Sequence, residues 1–108
     1  MSIDSVFKEI GVNCPYKAAR HLGIRISGPE DMGCVVGAYI ETLPGMYHIM
    51  LNAKVDLETQ ERACYELVKR HISHKGISVA LNEDELNTTI KIRHRSIFKL
   101  FRPAEDQA

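Results

Sequence analysis

An excess of charge of either sign is absent from this chain: Lys plus Arg and Asp plus Glu number 14 each, and the formal net charge is zero. No global field therefore draws it toward nucleic acid or an anionic membrane. Also absent is any apolar run approaching the roughly 20 residues that a bilayer-spanning helix needs. The first ten residues mix Asp4, Lys8 and Glu9 with apolar positions, which is not the pattern of a signal peptide. Cysteine is scarce. Cys14, Cys34 and Cys64 are an odd number at unrelated spacings and make no disulfide framework, so the cytoplasm is the expected compartment. There are no internal repeats, no low-complexity linker and no glycine loop for phosphate.

What is present suits one small globular domain. The 108 residues are enough for a single modest core and too few for two. We expect that domain over residues 1–102, with 103–108 as a frayed tail. Ser2 caps a predicted helix over 3–10, with Val6, Phe7 and Ile10 on one face and Gly11 as its stop. A second helix starts at Pro15, suited to a first helical position, and ends before Gly23. Its core-facing residues are Tyr16, Ala19 and Leu22. Two short helices invite a helix-turn-helix reading, which the residues oppose. Phe7 would fall where a small residue is needed, and Lys17 and Arg20 at positions that motif buries.

Three strand-like runs follow, over 23–27, 33–40 and 47–51, separated by Gly-Pro-Glu-Asp at 28–31 and a Pro44-Gly45 turn. They predict an antiparallel meander. The longest helix is expected from Asp56, as its cap, to Ser73, with Glu58 and Glu61 early and Gly76 as terminator. Ala63, Cys64, Leu67, Val68 and His71 form its apolar stripe. Beyond it come Ser78–Leu81, an acidic turn (Glu83, Asp84, Glu85), an alternating strand over 89–93, and a helical turn carrying Ile97, Phe98, Leu100 and Phe101. The fold class is α+β: a small antiparallel sheet of three or four strands against one long helix, preceded by two short helices.

Three segments in this order carry a family resemblance. Pro15-Tyr16-Lys17-Ala18-Ala19-Arg20-His21-Leu22-Gly23-Ile24 runs from a helix into a strand. Gly37-Ala38-Tyr39 and Ile49-Met50-Leu51-Asn52 form a meander ending in Leu-Asn, and Gln60 to His71 is a long helix. Together they resemble the ImmA/IrrE family of small metallopeptidases over roughly residues 15–75. The family helix carries His-Glu-Leu-Gly-His, two histidines one turn apart for zinc and a glutamate that polarises its water. The matching positions here hold Tyr65, Glu66, Leu67, Val68 and Lys69. Glu66 and Leu67 fit the pattern; both metal ligands are missing, and lysine, protonated at neutral pH, is a poor replacement. A contact of Lys69 with Glu66 or Tyr65 is expected to fill the vacated position.

The resemblance implies a scaffold that has lost catalysis and works by binding, with no metal or other cofactor. Family context implies a phage or mobile-element protein in a bacterial cell. Its partner would be another protein, such as a repressor or a host defence nuclease, and an anti-CRISPR type of inhibitor falls within that reading. Two alternatives stay open. One is a hydrolase whose zinc ligands have moved to His71, His74 and Cys64, with His48 as a fourth. The other is a nucleic-acid-binding regulator using residues 91–102. There Lys91, Arg93, Arg95, Lys99 and Arg102, with His94, occur without an intervening acid, and Lys91, Arg93 and Arg95 share one face of a strand. These five Lys and Arg residues are the candidate binding residues, whether for phosphates or for an acidic protein surface.

Overall fold

The structure is a computed structural model and describes residues 1–86. The strand expected over 89–93, the helical turn at 97–101, the tail 103–108 and the basic residues Lys91, Arg93, His94, Arg95, Lys99 and Arg102 lie outside the described residues.

Two capped helices open the chain. In α1 (Ile3–Ile10) the Ser2 hydroxyl accepts from the Ser5 N–H at 3.2 Å, and the Ser5 hydroxyl accepts from the Ser2 N–H at 3.1 Å. This reciprocal box satisfies two of the donors that a helix start leaves open. Gly11, left-handed at φ 80°, closes the helix. α2 (Pro15–His21) begins on its proline, buries Ala18 and Ala19, and leaves Lys17 and Arg20 exposed. Gly23, also left-handed, turns the chain directly into strand β1 (Ile24–Ser27).

Strands β2 (Val35–Leu43) and β3 (Met46–Leu51) form a hairpin about Pro44 and Gly45, with Tyr39 opposite Ile49 and Gly37 opposite Leu51. Helix α3 (Leu57–Ser73) follows, then β4 (Val79–Asn82), antiparallel to β2. The sheet order is β1-β3-β2-β4. The α+β class and the sheet packed on one long helix are as expected. The antiparallel meander is not. β1 lies beside β3 and parallel to it, with Ile24 opposite Tyr47 and Ile26 opposite Ile49, so the sheet is mixed. Strands adjacent in sequence are commonly adjacent in space; here the hairpin folds β3 back into the position between β1 and β2.

Asn52 holds that crossover. Its side-chain amide donates to the Val35 carbonyl at 2.9 Å and the Gly33 carbonyl at 3.4 Å, while its carbonyl oxygen accepts from the Lys54 N–H at 2.9 Å. The Ala53 N–H donates to the Pro29 carbonyl at 2.9 Å from the same corner. Asn52 is 4% exposed, and these bonds satisfy a polar group that would otherwise be costly to bury.

α3 covers one sheet face, and its predicted stripe of Ala63, Cys64, Leu67, Val68 and His71 is buried throughout. Gly37 admits it: a Cβ there would lie 3.0 Å from Leu67 Cδ1 and 3.2 Å from Ala63 Cβ. The core joins these residues to Val6, Ile24, Tyr39, Ile49 and Leu86. Asp56 occupies the N-cap position of α3, yet its carboxylate accepts from the Thr59 hydroxyl and makes no side-chain bond to a helix N–H. The acidic turn expected at 83–85 is helical instead. Asn82 and Glu85 cap it reciprocally, with bonds of 2.8 and 2.9 Å, a spacing of polar cap and glutamate that also stands in the sequence. No described helix is long and apolar enough to cross a membrane.

Candidate functional site

The outward side of α3 carries the positions at which the resemblance places a zinc-binding pair. Lys69 Nζ lies 3.6 Å from Glu66 Oε1 and 5.4 Å from the centre of the Tyr65 ring. The Tyr65 ring in turn stacks on Phe7 at 6.1 Å. The three side chains at 65, 66 and 69 thus meet as expected. Glu66 is 7% exposed, so its carboxylate is largely shielded from water beside an ammonium group. Leu67 and Val68, fully buried, face the core and contribute no polar atom. Beside the pair, a small depression of about 160 Å³ is lined by Glu66, Lys69, Arg70, Ser73, His74 and Leu81.

The alternative ligand set does not come together. Cys64 is wholly buried, and burial pushes its thiol up to about 12, far from the thiolate a metal or a nucleophilic step requires. His71 Nδ1 is bonded to the Tyr39 hydroxyl, His74 Nδ1 to Ser73 Oγ at 2.8 Å, and His48 Nε2 to Ser27 Oγ at 2.9 Å. His48 also projects from the sheet face opposite to that of Tyr47 and Ile49, because side chains alternate along β3. Among the described residues, no three His, Cys, Asp or Glu side chains are placed to hold a metal ion.

A polar cluster under the end of α3 was not apparent in the sequence. The Tyr39 hydroxyl lies 2.7 Å from His71 Nδ1 and accepts from the Gly76 N–H at 3.0 Å. The hydroxyl and Nδ1 share one hydrogen bond, whose donor is set by the imidazole tautomer. The Tyr47 ring meets His71 edge-on at 4.7 Å, and Lys75 Nζ sits 5.4 Å from the centre of that ring. Burial, reinforced by the charge of Lys75, lowers the His71 pKa below its ordinary value, and burial raises that of Tyr39. A neutral, hydrogen-bonded imidazole under a lysine joins α3 to β2 and β3. It has the chemistry of a packing joint, with no free lone pair aimed at solvent from Nδ1.

At the other edge of the sheet, an open trough of about 600 Å³ is lined by Tyr16, Arg20, Ile24, Arg25, Ile26 and His48. The described cysteines are all free thiols: Cys14 is half-buried, Cys34 exposed and Cys64 buried. The five basic residues expected to bind a partner are not among the described ones, so these two surfaces, the Glu66–Lys69 face and the β1 trough, define the candidate sites.

Comparison with known protein families, with curated proteins and with solved structures finds no match to this chain.

Proposed function

We propose that this chain is a non-catalytic protein-binding modulator built on a metallopeptidase-like scaffold that has lost its zinc ligands. The observation that supports this most is the Glu66–Lys69 pair. At the helix positions where the resemblance calls for a metal and a water-polarising carboxylate, an ammonium group lies 3.6 Å from the carboxylate. Such a group repels a divalent cation and occupies the charge with which the glutamate would act as a base. The resemblance supplies the finer reading: a phage or mobile-element protein acting on a repressor or a host defence protein, as an anti-CRISPR type of inhibitor does. Lys91, Arg93, Arg95, Lys99 and Arg102 are the first residues to reverse in charge when a partner is in hand.

Two assays on the full chain test the reading. The protein, offered zinc, is expected to cleave no peptide. Specific cleavage that Glu66→Gln abolishes overturns the proposal. Gel-shift titration at low salt is expected to show no nucleic-acid complex, and a shift lost on charge reversal at Arg93 and Arg95 would replace protein binding with nucleic-acid binding.

A further inference from the structure

We infer that the edge of β1 left unpaired among the described residues is a docking site for an extended, acidic segment of a partner protein; the inference rests on the protein-binding reading above and assigns it a surface. Among the described residues β1 is an outer strand, paired on one side only, by β3. Its other side presents backbone N–H and C=O groups, the template to which an extended peptide adds as a further strand. The trough runs along this edge. Ile24 and Ile26 give it an apolar component on the α2 side, with Tyr16 and Arg20 one turn apart on α2. Arg25 and His48, opposite each other in the β1–β3 register, belong to the other face.

Charge selects the partner. Arg20 and Arg25 are exposed, and neither has a carboxylate within ion-pair distance among the described residues. Among the described residues no Asp or Glu lines the trough. Two guanidinium groups without a carboxylate partner among the described residues, on either side of the strand edge, oppose the approach of a second copy of the same basic edge. They admit a strand that brings carboxylates, which arginine takes in a bidentate fork. The docked segment therefore alternates: an acidic side chain toward Arg25 and His48, then an apolar one over Ile24 and Ile26, with a further acid reaching Arg20. A strand of four residues with one arginine, and a second on the neighbouring helix, is short for a nucleic-acid track, and its backbone edge matches a peptide.

The test is selection of a random linear peptide library displayed on phage against the immobilised full chain, followed by titration of the enriched peptides. We expect acidic–apolar alternation to be enriched. Affinity should fall at least tenfold in the Arg20→Glu, Arg25→Glu variant and in the milder Arg20→Gln, Arg25→Gln variant, with Lys17→Glu as an exposed control that leaves it unchanged. Bound peptide should slow amide exchange at Ile24–Ser27. Selection of no peptide, or of peptides without acidic residues, overturns the inference. Peptides that bind equally to the reversed variant, or protect another region, overturn the edge assignment while the protein-binding reading stands. A single-stranded oligonucleotide competing for the same arginines overturns the choice of a peptide.

Discussion

The Tyr39 hydroxyl and Nδ1 of His71 are 2.7 Å apart although the residues are 32 positions apart in the chain. Tyr39 is fully buried in the middle of β2, and His71 lies in the last turns of α3. One hydrogen bond therefore fastens the C-terminal end of the long helix to the sheet. Through the Gly76 N–H the same hydroxyl also holds the turn that leads into β4.

Stability should depend on pH through His71. Its folded pKa lies below the ordinary 6.5, because burial and then Lys75 disfavour the imidazolium. Among the described residues, the Tyr39 hydroxyl and the Tyr47 ring contact it and the charge of Lys75 acts on it, while the Glu41 carboxylate reaches the same cluster through Tyr39. Between the two pKa values the unfolded chain binds a proton that the folded protein refuses, so stability rises with pH in that window. The contribution is complete above about pH 6.5 and is lost as pH falls from there through the folded pKa. Urea midpoints measured from neutral to mildly acidic pH should fall more steeply for the native sequence than for His71→Leu.

Tyr39→Phe removes the partner of both His71 and the Gly76 N–H while keeping the ring that stacks on Tyr47. Leaving buried polar groups unpaired costs about 1–3 kcal/mol. Urea denaturation should show that loss with an unchanged m-value, and amide exchange should quicken at Gly76.

Asn52→Ala should release the crossover between β1 and β2. The carbonyls of Gly33 and Val35 and the N–H of Lys54 lose their side-chain partner together. A destabilisation of about 1–3 kcal/mol follows from the same reasoning. Hydrogen exchange across residues 28–35 should quicken more than exchange in α3, which a general loosening would not produce.

At Gly37 the constraint is space. Gly37→Val drives its side chain into Leu67 and Ala63 and should cost about 1–3 kcal/mol through displacement of α3. Gly45, with no atom within 4 Å of an added Cβ, meets no such obstruction, although its φ of +82° disfavours a side chain there. Thermal melts of Gly37→Val and Gly45→Ala should thus differ in cause: helix repacking, visible in near-ultraviolet dichroism, for the first alone.

Much of this fold is legible in the residues themselves. The helix starts at Ser2 and Pro15, the left-handed glycines at 11, 23 and 76, and the stripe from Ala63 to His71 each follow from local chemistry. So does the meeting of Lys69 with Glu66, one turn of helix apart. Strand order is not local. Nothing in Ile24–Ser27 specifies that its neighbour is β3 or that the two run parallel; that depends on a crossover clamped by Asn52 from beyond the hairpin. The Leu51-Asn52 pair was visible, but its role as a clamp was not. Tyr39 and His71 read as one residue of a strand and one of a helix stripe, and only their packing reveals the bond. The trough was hidden for the same reason, since Arg20 and Arg25 flank it only once α2 and β1 are placed.

The most direct test of the central claim is the zinc content of the purified, untagged chain after incubation with zinc and desalting, read by elemental mass spectrometry. The ion pair at Glu66 and Lys69, the buried thiol of Cys64 and the separation of His48, His71 and His74 predict far less than one zinc per chain. Retention of near-stoichiometric zinc, lost in a His71→Ala, His74→Ala double variant, would contradict the account and restore a metal-dependent hydrolase.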